Sequence, residues 1–188
     1  MHFVSLVSYV FIMMFVSLPS YAEHISGLEI EALFRQSEEL YTQETLDMEE
    51  IIRLTAFHTV EDAIVKQETK SNKGPRIITK VQTRDDILAN MKEESGKIFD
   101  SSLRRTITNI EYSEDKMSAK VEYTALFIAT LMLSEEAKEL PEYIGQSVLP
   151  FKSLSVCSEE FKLIDDVLKS LGTDCKTEIL YGKARATK

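Results

Sequence analysis

The chain has 188 residues, 44% of them hydrophobic, and a formal charge of −9 from 22 Lys and Arg against 31 Asp and Glu. Its length suits one domain with a real core, and its acidity argues against a general affinity for nucleic acid or anionic lipid surfaces. No glycine-rich phosphate loop, Gly-x-Ser-x-Gly, His-Glu-x-x-His or Cys-x-x-Cys occurs, so the common nucleotide, serine-hydrolase, zinc-protease and thiol-redox motifs are excluded and neither cofactor nor metal is expected.

The N-terminus carries its own signal. From Phe3 to Leu18 only serine interrupts Val, Leu, Ile, Met, Phe and Tyr, Pro19-Ser20-Tyr21-Ala22 closes the stretch, and no Asp, Glu, Lys or Arg precedes Glu23. An apolar run, a helix-breaking proline and a small-x-small ending predict a secretory signal peptide cleaved after Ala22. Residues 23–188 then form a single exported domain, periplasmic or secreted. The n-region, with only the terminal amine and His2, leaves an uncleaved membrane anchor as the alternative, because the run approaches spanning length. No cysteine near the boundary offers a lipid attachment point.

Two helices are predicted over residues 28–57. Ile30, Leu33, Phe34, Ser37, Leu40 and Tyr41 recur at three- and four-residue steps opposite Glu31, Arg35, Glu38 and Glu39. Asp47-Met48-Glu49-Glu50 starts a second helix, with Met48, Ile51, Ile52 and Thr55 on its buried face and a bend near Thr45 before it. From His58 to Val81, "TVEDAIVKQET", the turn "SNKGP" and "RIITKV" predict a hairpin. Thr83-Arg84-Asp85-Asp86 opens a third helix, with Ile87, Leu88, Met91, Ile98 and Phe99 on one face and an end near Asp100.

"LRRTITNIEY" and "MSAKVEYTALFIATLML" flank the polar turn "SEDK" and predict two long antiparallel strands. Met117, Ala119, Val121, Tyr123, Ala125 and Phe127 alternate with polar residues, so they define the buried face. Ala125 to Leu133 is apolar on both faces and is expected to lie beneath other parts of the domain. "SEEAKELPEYIGQSVLP" is a connection with one helical turn before Pro141, and the basic tail from Lys183 to Lys188 reads as solvated.

Residues 156 to 175, "VCSEEFKLIDDVLKSLGTDC", support two structures. Ser158, Glu159, Glu160, the stripe Phe161, Ile164, Leu168 and Leu171, and Gly172 describe a capped helix over residues 158 to 171. Cys157 and Cys175, an even pair in an exported chain, favour a disulfide. A thiol nucleophile would need a base, and nothing places His58 beside either cysteine. The full helix would be about 21 Å long, whereas bridged Cα atoms lie within about 7 Å. A hairpin centred on Asp166 sets Cys157 opposite Cys175, Phe161 opposite Leu171 and Phe151 opposite Tyr181. That register leaves a polar opposite face, and we favour it.

The order is then two helices, a hairpin, a helix and four long strands. Through "EALFRQSEELYTQETLDMEEIIRL", "TRDDILANMKEESGKIF", "ITNIEYSEDKMSAKVEYTALF" and "CSEEFKLIDDVLKSLGTDCKTEILYG", residues 28–182 resemble the nuclear transport factor 2-like superfamily. That superfamily includes the SnoaL-like polyketide cyclases and the ketosteroid isomerases. The resemblance implies an α+β fold in which N-terminal helices pack on a curved, mostly antiparallel sheet, cone-shaped and cystatin-like, with a pocket at its wide end. It also implies a homodimer through the open sheet face.

Family enzymes typically use a pocket carboxylate or histidine as base and a tyrosine or protonated acid as donor. The corresponding candidates here are His58, Asp62 and Tyr123, with Phe57, Tyr112, Tyr123, Phe127 and Phe151 as ligand contacts. Against this, a buried tyrosine more often completes core packing with one hydrogen bond, and His58 reads as a boundary residue. His58 and Asp62 are four apart without helical sequence between them, so no metal site is expected. The expected function is a non-catalytic exported domain that binds a small apolar ligand or a protein partner. The alternatives are a cofactor-free isomerase or cyclase-like enzyme and a membrane-anchored domain of an envelope assembly.

Overall fold

The computed structural model describes residues 24–42, 46–139 and 143–183. The apolar leader, the bend near Thr45 and all but Lys183 of the basic tail lie outside the described residues.

Helix α1 (Gly27–Tyr41) starts at Ser26, whose hydroxyl accepts from the Glu29 amide while the Glu29 carboxylate accepts from the Ser26 amide. This reciprocal pair satisfies two donors that a helix end leaves open. Helix α2 (Met48–His58) is capped by Asp47, which accepts from the Glu50 amide at 3.0 Å. Strands β1 (Thr59–Ser71) and β2 (Gly74–Thr83) form the expected hairpin. Thr83 and Asp86 build a second capping box for α3 (Arg84–Glu93).

The third helix is shorter than expected. It stops at Glu93, Gly96 turns the chain at φ +77°, and Ile98 and Phe99 open strand β3 (Ile98–Tyr112) instead of extending the helical face. A positive φ favours glycine and breaks a right-handed helix. Strand β4 (Ser118–Met132), the short helix α4 (Glu135–Lys138), β5 (Val148–Ile164) and β6 (Val167–Tyr181) follow.

One open, curved sheet has the order β2-β1-β6-β5-β4-β3. All its pairs are antiparallel except β1 with β6. Register shifts interrupt β3 with β4, β5 with β6, and β1 with both its neighbours. Such bulges bend strands and increase their twist, which lets the sheet wrap α1.

Residues 156 to 175 form the hairpin, and Cys157 and Cys175 are disulfide-bonded with Cα atoms 4.2 Å apart. Phe151 faces Tyr181, as expected, and Ser153 faces Ile179. Beyond Glu160 a bulge moves the register by one, so Phe161 faces Ser170 and not Leu171. The turn therefore centres between Asp165 and Asp166, both with positive φ, at 50° and 58°. That is the backbone of a two-residue type I′ turn, here supplied by aspartates, which tolerate this region better than most residues. At the bulge, a Cβ on Gly172 would lie 2.7 Å from the Ile64 carbonyl oxygen of β1, so no side chain fits there without a shift.

The core lies between α1 and the middle of β4 and β5. Ile30, Phe34, Val121, Tyr123, Cys157, Phe161 and Leu163 are all buried, and Phe34 meets Tyr123 edge-on at 4.8 Å. The C-terminal half of β4 is not covered on both sides. Ala129 and Leu133 are buried on the concave side, while Ile128 and Met132 are about half exposed, at 45% and 49%. Nothing among the described residues overlies this stretch of the outer face, because all the long helices pack elsewhere.

Candidate functional site

The helices and the concave sheet face together line a cavity of about 470 Å³. Its apolar wall combines Leu33 and Phe34 from α1, Leu54 from α2, Ile87 and Met91 from α3, Val65 from β1 and Phe161 from β5. The α1 stripe thus divides its work: Ile30 fills the core, Phe34 belongs to both core and cavity wall, and Leu33, Ser37 and Tyr41 line the cavity. Apolar walls with a few convergent polar groups are the usual make-up of a small-molecule site.

The polar wall centres on Glu159. Strand alternation turns Glu159 to the same side as Cys157 and Phe161, and the Tyr123 hydroxyl donates to its Oε2 at 2.9 Å. Burial raises the Glu159 pKa, although nearby Ser170, Tyr123, Arg105 and Thr173 oppose the shift. Burial, followed by the adjacent Glu159 charge, pushes the Tyr123 phenol well above its usual range, so it remains a donor. Arg105 donates through its backbone amide to Glu38 and through Nη1 to Ser37, and its guanidinium lies 5.0 Å from the Phe34 ring centre. An arginine on an aromatic face gains cation–π attraction, so its position is held from two sides.

His58 closes α2 and lines the same cavity. Its Nδ1 lies 2.8 Å from the Leu168 carbonyl oxygen, so Nδ1 donates and the neutral ring keeps its lone pair on Nε2. Burial lowers its pKa, with the Lys169 charge adding to the effect against the Leu168 hydrogen bond. The cavity therefore holds a neutral imidazole, a carboxyl group with a raised pKa and a protonated phenol. Those are the chemical parts of acid–base catalysis.

The sequence candidates are dispersed. His58 and Tyr123 line the cavity, while Asp62 is exposed on β1 outside it. Phe127 lines a second, adjoining cavity and belongs to an aromatic row with Tyr41, Phe151 and Tyr181 at 5.7 to 6.2 Å spacings. Phe57 is 49% exposed, packed against His58 and under Lys169. Tyr112 lies at the far end of β3 beside Gly27. Sequence reasoning missed Glu159, although the register that turns Cys157 inward does the same for Glu159. It also missed Arg105, which alternation along β3 turns inward with Leu103 and Ile107, and Arg84, which is placed by helix packing. Among the described residues no group of three or more His, Cys, Asp or Glu is arranged to hold a metal, and no helix is long and apolar enough to cross a membrane.

No protein-family model and no curated protein matches the chain. Solved structures do. A candidate scytalone dehydratase from Novosphingobium aromaticivorans is similar over 84% of this chain and 89% of its own, with 13% identity and a TM-score of 0.52. An NTF-2 like protein of unknown function from Shewanella oneidensis is similar over 79% and 96%, with 16% identity and a TM-score of 0.43. A domain of unknown function with a cystatin-like fold from Nostoc punctiforme covers 79% and 75%, with 12% identity and a TM-score of 0.41. What is shared is fold: helices on a curved, mostly antiparallel sheet, in the order of elements that the sequence implied.

Proposed function

We propose that this is an exported domain that takes up a small, largely apolar molecule in the cavity between its helices and the concave sheet face. The observation that carries this reading is the cavity itself: about 470 Å³, walled mainly by apolar side chains, with His58, Arg84, Arg105 and the Tyr123–Glu159 pair as the polar groups that converge on it. Folds of one kind host many functions, so the site and not the fold supports the reading. The disulfide and the apolar leader support export. Titration with Nile red, a neutral apolar dye, tests uptake. Saturable fluorescence enhancement at one dye per chain is the expected result, and no enhancement overturns the proposal.

One observation favours a second reading, a cofactor-free isomerase or cyclase-like enzyme. Neutral His58, with its lone pair on Nε2, shares the cavity with the Tyr123–Glu159 donor pair. In that role His58 takes a proton from the substrate, while a protonated Glu159 donates to the Tyr123 oxygen and frees the Tyr123 hydroxyl proton for the oxygen that gains charge. Tyr123→Phe and Glu159→Gln separate the readings: an enzyme loses turnover while staying folded, and a binder keeps its affinity for Nile red.

The outer sheet face supports self-association. Ile64, Ile128, Leu154, Val156 and Leu180 lie on it between 45% and 60% exposed, and apolar surface gathered on one face of a sheet marks an interaction site.

A further inference from the structure

The cavity shares part of its wall with a second one. Tyr41, Ile87, Met91 and Arg105 line both it and a second cavity of about 410 Å³, whose other walls include Met48, Ile98, Leu103 and Phe127. The two chambers run along one face of α3. Arg84 lies at the inner end, Ile87 and Met91 at the junction, and Asn90 and Glu94 beside the outer chamber. From position 84 to position 94 that face is about 15 Å long, at about 1.5 Å per residue. α3 buries none of its residues, and Ile87 and Met91 stay half-buried although they face the protein.

The charges are uneven. The inner chamber is lined by Arg84 and Arg105 against one acid, Glu159. Arg84 donates from Nη2 to the Ala56 carbonyl and lies 3.9 Å from the exposed Asp85 carboxylate, but its buried Nε has no acceptor among the described residues. The Arg84 charge is thus met only by a distant, exposed carboxylate, and a carboxylate brought into the cavity it lines would pair with it more closely. In the outer chamber Glu94 is engaged by Lys97 at 3.3 Å, and the remaining lining is mostly apolar.

We propose that the occupant is an elongated monocarboxylate. Its acid group binds at Arg84 in the inner chamber, and its aliphatic tail passes Ile87 and Met91 into the outer one. This assignment rests on the reading that the inner cavity takes up a ligand. A compact neutral molecule would leave the outer chamber and the Arg84 charge unused.

The test is calorimetric titration of the full chain with sodium hexanoate, octanoate, decanoate and dodecanoate, with decanol as the uncharged control and Nile red as the probe of the cavity itself. Each methylene that enters the outer chamber tightens binding about fourfold, the equivalent of its burial free energy. Decanol binds about tenfold more weakly than decanoate because it lacks the charge-assisted hydrogen bond. Arg84→Gln removes the preference for acid over alcohol, and Met91→Trp removes the dependence on chain length while hexanoate still binds. If Nile red and every acid fail to bind the folded wild type, the cavity reading falls and takes this assignment with it. If Nile red binds but affinity does not rise with chain length, or decanol equals decanoate, the assignment alone is overturned. The chain-length series uses the wild type, so its outcome does not depend on either variant folding.

Discussion

The Tyr123 hydroxyl donates to Glu159 at 2.9 Å from the neighbouring strand, and this pair lies on the sheet side of the mainly apolar cavity. Removing the donor leaves a buried carboxyl group short of a partner, which costs about 1–3 kcal/mol. Tyr123→Phe is therefore expected to lower the urea midpoint without changing the slope, as read by circular dichroism. An unchanged midpoint would mean that the pair contributes nothing.

Glu159 also sets a pH dependence. Burial raises its pKa in the folded chain, so the native state holds this proton more tightly than the unfolded state does. The resulting stability is complete below the ordinary glutamate range and is lost as pH rises through the raised value. Glu159→Gln should remove this loss, so the gap between variant and wild type in urea melts widens in favour of the variant from acidic to neutral pH. Parallel curves would count against a raised value.

The disulfide joins the middles of two adjacent strands, with 18 residues of sequence separation. Closing a loop of that size stabilises by about 3 kcal/mol on the chain-entropy model. The Cys157→Ala and Cys175→Ala double variant should keep the sheet, since its register is fixed on both sides, yet unfold at a clearly lower denaturant concentration. Near-equal midpoints would show that the bond adds little to this hairpin.

Gly172 illustrates why part of this fold was hidden in the sequence. The pairing of Cys157 with Cys175 was legible because a disulfide restricts distance and alternation then orders every other residue. The one-residue shift beyond Glu160 was not, because it answers the approach of β1, a strand distant in sequence, whose Ile64 carbonyl leaves no room for a Cβ. The same holds for the site. Tyr123 was legible from alternation along one strand, and Glu159 could have been found in the same way. Arg105 was open to the same reading, because it alternates with Leu103 and Ile107 on β3, whereas Arg84 reaches the cavity through helix packing that periodicity does not record. The end of α3 was misplaced because the apolar residues Ile98 and Phe99 continue a helical spacing that Gly96 interrupts.

Gly172→Ala is accordingly expected to cost about 1–3 kcal/mol, the usual range for overpacking a rigid contact. Gly96→Ala, where added atoms meet open space but φ is +77°, should cost about 1–2 kcal/mol through backbone conformation alone. Only the Gly172 variant should also speed hydrogen exchange at β1 amides. Faster exchange there in both variants, or in neither, would contradict the assignment of strain to the contact between β1 and β6.

Uptake of a ligand by the concave cavity is tested most directly by methyl-resolved nuclear magnetic resonance during a Nile red titration. Binding there predicts shifts at Leu33, Leu54, Val65, Ile87 and Met91, which line the cavity, and none at Ile64, Ile128, Leu154 or Val156 on the outer face. Shifts confined to the outer-face methyls, or no shifts at saturating dye, would contradict it.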